Sequence, residues 1–332
     1  INSATLSNAL LIAFLALSVT GLLSTRTTSA SVETNHIRPI SKDLFSSKRP
    51  GVIGLSSKEA VVSLGDNLIK VANFYGKSAK ELESLLIQDS VLNIDKNGLL
   101  FYEESLPTQE IQKSEDIPLI NSAINQNVAE VNTFLLHSKP NATAKVYLNF
   151  QGAVVDNSVW NYNGPIVAIP FSTDADPSFI PDELYRIKSI WTSIAEDYSA
   201  FDVDVTTEAP VAPDSNHYTQ AIFTPSYQWY GAVGGLAFVG SFRWGDVAPV
   251  WIFSSLLGNN IKLVAEAGSH EIGHTMGLYH TAQYDTSCQY VSQYSYGSGE
   301  NPGWAPIMGV GYYRGVTQWT NTTEHPYLAT PY

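Results

Sequence analysis

The sequence predicts an α+β fold: a mixed, twisted sheet with helices packed on it, preceded in the chain by a smaller α+β unit. Three observations predict this. Strand-length apolar or alternating stretches recur between residues 145 and 253, with one long amphipathic helix among them and another helix after them. Residues 58–102 switch from helical periodicity to a hairpin signal. Hydrophobic residues make up 44% of the 332 and charged residues only 15%, which leaves ample apolar surface for a core.

Taken in order, residues 9–23 form an apolar run shorter than the ~20 residues of a membrane span and suited to a signal-peptide core. Thr28-Ser29-Ala30 offers a cleavage site, so residues 1–30 are expected to be a signal peptide, with an uncleaved anchor as the alternative. Its basic start is missing and residue 1 is Ile, so the natural N-terminus is expected upstream. Residues 31–56 read as a tether. Val61, Leu64, Leu68, Val71 and Phe74 then recur at helical spacing over 58–75. Ser78 and Glu81 form the capping box of a short helix bearing Leu82, Leu85 and Leu86. Apolar stretches 91–94 and 99–102 flank Asp95-Lys96-Asn97-Gly98, an Asn-Gly hairpin signal. A polar stretch at 108–115 and a further helix over 117–136 complete this unit.

The second region, 140–332, starts with a strand at 145–150 and a weaker one at 164–170. Pro181 opens a helix with Asp182 and Glu183 in its first turn, where they complement the helix dipole. Ile180, Leu184, Ile187, Trp191, Ile194 and Tyr198 form its core stripe. Strands are expected at 203–206, 220–223, 236–239 and 250–253, before Asn259 or Asn260 caps a last helix. Asp202 and Asp204 read as solvent-facing. Two carboxylates fall short of the 6–8 oxygens that calcium prefers, so Ca2+ has no support beyond them.

The chemistry lies in that last helix. His270 and His274 are four residues apart and project from one face. Two imidazoles so placed can share one tetrahedral zinc. Glu271 lies beside them, where a carboxylate can serve as a general base. Gly277 allows the helix to stop and the chain to turn, bringing back His280 as a third ligand. Three nitrogens leave one coordination position open, as catalytic zinc sites do. A buried helix whose histidines merely pack is the alternative, and three His, a Glu and a Gly in register weigh against it.

The pattern H-E-x-x-H-x-x-G-x-x-H resembles the metzincin zinc metallopeptidases. In strand and helix phrasing the chain is similar to secreted bacterial reprolysin-like members. The resemblance implies a metzincin-like catalytic domain over 140–332, one catalytic Zn2+ on His270, His274 and His280, and Glu271 as general base. It implies a structural Met308 in a tight turn beneath the histidines, and extended substrate pairing with the strand around Gly235, Leu236 and Ala237. Where some metzincins carry a tyrosine ligand two residues after that Met, this chain has Val310, leaving Tyr312 and Tyr313 as loose candidates for transition-state stabilisation. Thr281 stands where reprolysins usually have Asp. Only 24 residues follow Met308, so 140–332 is expected to be a minimal domain or a fragment.

The expected activity is therefore that of a secreted zinc endopeptidase made as a zymogen, acting on protein or peptide substrates. A non-catalytic binding or adhesion protein on a decayed metzincin scaffold is one alternative, and a zinc hydrolase of other substrates is another. Segment 31–139 carries no catalytic chemistry and reads as a removable prosegment, or else as a permanent binding module. It contains no cysteine, so its cover would be steric, with an oxygen or an imidazole such as His137 as ligand. The net charge of -13 argues against nucleic-acid partners and against a polybasic membrane patch. Stable membrane insertion is not expected after signal cleavage. The single cysteine, Cys288, cannot form an intrachain disulfide and reads as a passive small side chain.

Overall fold

Capping and turn chemistry set the first elements. The computed structural model describes residues 54–107, 132–211, 217–299 and 303–320. After strand β1 (Gly54–Ser56), the helical stretch divides into α1 (Ser57–Leu64) and α2 (Leu68–Phe74). Gly65 adopts φ +49° at the break, a conformation open to glycine that ends α1. Helix α3 (Ala79–Gln88) carries the expected capping box, with Ser78 Oγ accepting from the Glu81 N–H and the Glu81 carboxylate from the Ser78 N–H. The hairpin β2 (Leu92–Asp95) and β3 (Leu100–Glu103) turns on Asp95, whose carboxylate accepts the N–H groups of Asn97 and Leu99 at 2.8 and 2.7 Å.

The remaining elements follow the predicted order. They are β4 (Ala144–Asn149), the small hairpin β5 (Ala153–Val155) and β6 (Ile166–Ala168), α4 (Pro181–Asp197), and β7 (Val203–Thr206). Next come β8 (Tyr218–Thr224), β9 (Gly235–Phe238), β10 (Val250–Phe253) and α5 (Ile261–Thr275). Of the two candidate caps, Asn260 does the work: its side chain accepts from the Leu263 N–H. Two short pairs close the described chain, β11 (Gln283–Tyr284) with β12 (Tyr290–Ser292) and β13 (Trp304–Pro306) with β14 (Val316–Gln318). The helix expected over 117–136 is not helical at 132–136, which forms turns. Its earlier part, the polar stretch and the apolar run at 9–23 lie outside the described residues. Among the described residues no helix is long and apolar enough to cross a membrane.

One mixed sheet organises the molecule, in the order β1-β2-β3-β9-β10-β8-β4-β7. Strands β1, β2, β3, β9 and β10 pair antiparallel, and β10, β8, β4 and β7 pair parallel. The parallel half is covered by α4 and α5, with Ile187, Ile190, Ile194 and Ile272 packed against Val146, Val205, Phe223 and Ile252. Gly268 lets α5 approach closely, since a Cβ there would lie 2.7 Å from Ile194 Cδ1. The antiparallel half carries a second core, in which Ala60, Leu64, Val71, Leu82 and Leu86 cover Leu92, Ile94, Leu100 and Tyr102.

The expected boundary at 139/140 does not divide this sheet. Strand β3 from the first region is hydrogen-bonded to β9 from the second, with Phe101, Tyr102 and Glu103 opposite Phe238, Ala237 and Leu236. Strand β9 therefore has neighbours on both sides, and Gly235, Leu236 and Ala237 are interior and buried rather than at an edge. Asp204 also departs from expectation. Asp202 is exposed, but Asp204 is buried, and its carboxylate accepts from Lys145 Nζ at 3.0 Å, the Lys139 N–H at 3.0 Å and His137 Nδ1 at 2.8 Å. Those partners make it one end of an ion-pair network rather than a solvated charge or a calcium ligand.

Candidate metal centre

Helix α5 holds His270, Glu271 and His274 in its last two turns, and it is buried along nearly its whole length. Its end is a Schellman turn: the Leu278 N–H reaches Gly273 O at 3.3 Å and the Gly277 N–H reaches His274 O at 2.9 Å. Gly277 sits at φ +90°, as that turn requires. The reversal carries the chain back so that the His280 ring lies 5.1 Å from that of His270 and 5.0 Å from that of His274. The three predicted histidines are thus brought together.

Hydrogen bonds fix which nitrogen of each ring faces inward. His270 Nδ1 lies 2.7 Å from the Ile307 carbonyl and His274 Nδ1 2.8 Å from the Leu278 carbonyl. A carbonyl can only accept, so both rings carry their proton on Nδ1 and present Nε2 as a lone pair. Both Nε2 atoms are buried without a hydrogen-bond partner. His280 Nδ1 faces Asp89 Oδ2 at 2.7 Å, a carboxylate–imidazole pair of the kind that orients metal ligands. Burial lowers His274 to about 3, which keeps it neutral and able to ligate. Burial pulls His280 down too, but Asp89 and Glu104 outweigh it and bring the ring up to about 10.

A fourth donor completes the cluster, and sequence reasoning missed it. Glu104 Oε1 lies 2.6 Å from His280 Nε2, 3.3 Å from His270 Nε2 and 3.6 Å from His274 Nε2. Its other oxygen accepts from the Tyr294 hydroxyl at 2.5 Å. Burial would raise this carboxyl, but His280 and His270 hold it well below the usual range. Glu104 and the three histidines place one ligand atom each within 4.8 Å of one another, and among the described residues they are the group that fits a metal ion. Orphaned Nε2 atoms, a fixed tautomer and a mixed N/O donor set all suit such an ion.

Glu271 is fully buried, and neither carboxylate oxygen has a hydrogen-bond partner. It lies against β9, where a Cβ on Gly235 would come within 2.2 Å of Glu271 Oε1. Burial, and then the charge of Glu104, push its carboxyl well above the usual range. Met308 packs against α5: a Cβ on Gly273 would meet its sulfur at 2.6 Å, and its carbonyl accepts the Thr281 N–H at 2.7 Å. Tyr312 and the more exposed Tyr313 both line the cavity beside His270, together with Glu104, Leu106, Ile307 and Val310.

His137 does not reach the centre. Its ring bridges Asp204 and Glu208, with Nε2 2.7 Å from Glu208, at the far edge of the sheet beside β7. Cys288 is exposed and takes no part. Besides Glu104, sequence reasoning missed Asp89, Tyr102 and Tyr294. Tyr102 stacks on His274 with ring centroids 3.9 Å apart and leans on His280 at 4.1 Å. The Glu103-Glu104 pair directly after an apolar strand was the one visible sign. No family model matches the chain, and no curated protein or solved structure matches it.

Proposed function

We propose that this chain is a secreted zinc-dependent endopeptidase of the metzincin type, with its N-terminal region as a prosegment. The observation that supports this best is the pair His270 and His274, with Nδ1 protons tied back and Nε2 lone pairs converging on the space that His280 also faces, and a partnerless Glu271 next in sequence to the first of them. Zinc held there would polarise a peptide carbonyl and make a bound water acidic near neutral pH. The chain's own residues do the rest. Ile307 and Leu278 carbonyls keep two rings in register, and Asp89 orients the third. Glu271 has oxygens uncommitted within the fold; with a dication beside it offsetting the burial that otherwise holds it protonated, its carboxylate would take a proton from the attacking water and return it to the leaving amine.

A second reading has a specific observation in its favour. Glu104 would give the cluster four protein donors, the ligand count of a closed structural site. The two readings separate on purified chain, assayed on casein and gelatin before and after limited proteolysis, with and without a chelator. The peptidase reading expects about one zinc per chain, and hydrolysis abolished by chelation and restored by zinc. Metal-replete protein that cleaves neither substrate in either form would leave the structural reading standing.

A further inference from the structure

We propose that residues 100–107 act as a built-in occupant of the cleft, with β3 taking the substrate's place on β9 and Glu104 taking the open ligand position. This rests on the peptidase reading. Four observations converge on it.

The first is position. Strand β3 pairs antiparallel with β9 along Leu236, Ala237 and Phe238, the first two among the residues expected to receive an extended substrate. The ladder runs on past β3, with the Glu104 N–H donating to Gly235 O at 3.0 Å and the Gly234 N–H to Glu104 O at 2.8 Å. The second is facing. Tyr102 and Glu104 are two residues apart in extended chain and so share a face. That face meets the histidines, Tyr102 by stacking on His274 and Glu104 by its carboxylate.

The third is distance. Nitrogen and oxygen donors about 2.0–2.2 Å from one tetrahedral ion stand roughly 3.3–3.6 Å apart. Glu104 Oε1 stands 3.3 and 3.6 Å from the Nε2 atoms of His270 and His274, the spacing of a fellow ligand, and 2.6 Å from His280 Nε2, the length of a hydrogen bond. The fourth is continuation. Beyond Glu104, Ser105, Leu106 and Pro107 line the cavity shared by His270, Ile307 and Tyr312, and Leu106 packs against the main core. A peptide bound along β9 would need that same space. Glu104 has no other task that requires it here, because its partners are the three imidazoles and Tyr294. A resident ligand and a removable one differ in one respect: only the removable one leaves metal binding intact when lost.

The test uses the full chain loaded with cobalt(II), whose visible absorption reports the ligands around it, and acetohydroxamate as a small probe of the open position. Wild type is compared with Glu104→Ala, and with Glu104→Gln, which keeps the side chain's volume and its bond to Tyr294 should alanine compromise folding. The expected result is cobalt affinity changed less than tenfold and acetohydroxamate bound at least tenfold more tightly by the variants. Unchanged acetohydroxamate affinity overturns the proposal. So does loss of cobalt as severe as that caused by His274→Ala, which would make Glu104 a permanent ligand. Tighter acetohydroxamate binding, with no casein hydrolysis even after limited proteolysis has released residues 100–107 from β9, supports the occupant role and removes the peptidase reading instead.

Discussion

Glu271 and the histidines do different work, and single substitutions separate them. Glu271→Gln keeps the shape but cannot accept a proton, so metal content should be unchanged while kcat falls by about 10²–10⁴, roughly 3–5 kcal/mol of barrier. His274→Ala should fail one step earlier, by weakening metal affinity, as equilibrium dialysis would read. Asp197 allows a pH test away from the centre. Burial raises its carboxyl to about 7, against the bond it accepts from Ser269 Oγ at 2.5 Å. The folded chain therefore keeps a proton that the unfolded chain releases, and stability falls as pH rises from about 4, the ordinary carboxylate value, through about 7. Asp197→Asn stays neutral throughout. Its gain in Tm over wild type should be near zero at pH 4 and largest at pH 8, worth on the order of a few kcal/mol. An equal difference at both pH values would show that Asp197 does not titrate as described.

At the scale of elements, β9 and α5 are coupled through the absence of side chains. Gly235 leaves room for the Glu271 carboxylate, and Gly273 leaves room for the Met308 sulfur. Gly235→Ala should push Glu271 aside and lower kcat while metal content stays normal. Full activity in that variant would show that the Glu271 position is not set by β9. Gly277 is required for a different reason, its φ of +90° at the end of α5. Gly277→Ala should cost about 1–2 kcal/mol and weaken metal binding, since His280 depends on that turn. Much of this level was legible in the chain. The histidine spacing, the Ser78–Glu81 box, the Asn97-Gly98 turn and the Asn260 cap all act within a few residues, where sequence and geometry are tightly linked.

Across the whole molecule, one sheet joins the N-terminal hairpin to the parallel strands, and the metal cluster straddles the join. Both cores should therefore melt in one transition, because β3 cannot leave without uncovering β9 and the cluster. A metal that binds only the folded chain stabilises it by about 4 kcal/mol at a thousandfold excess over its Kd. Chelation should accordingly lower the Tm of that single transition in calorimetry. Two separate transitions, with only one sensitive to chelator, would show that the hairpin and the parallel half are energetically independent.

What the sequence by itself determined is the local half of the centre. His270, Glu271 and His274 are set by helical periodicity, and His280 by a glycine turn three residues before it. Only the tertiary structure decided that Glu104, 176 residues from His280, would stand among them. The reason is register. Side chains alternate along β3, so Glu104 faces the imidazoles while Glu103 points to the hydroxyl of Tyr230. A slip of one residue against β9 would exchange these two acids. Nothing local distinguishes Glu103 from Glu104; the pairing of two distant strands does.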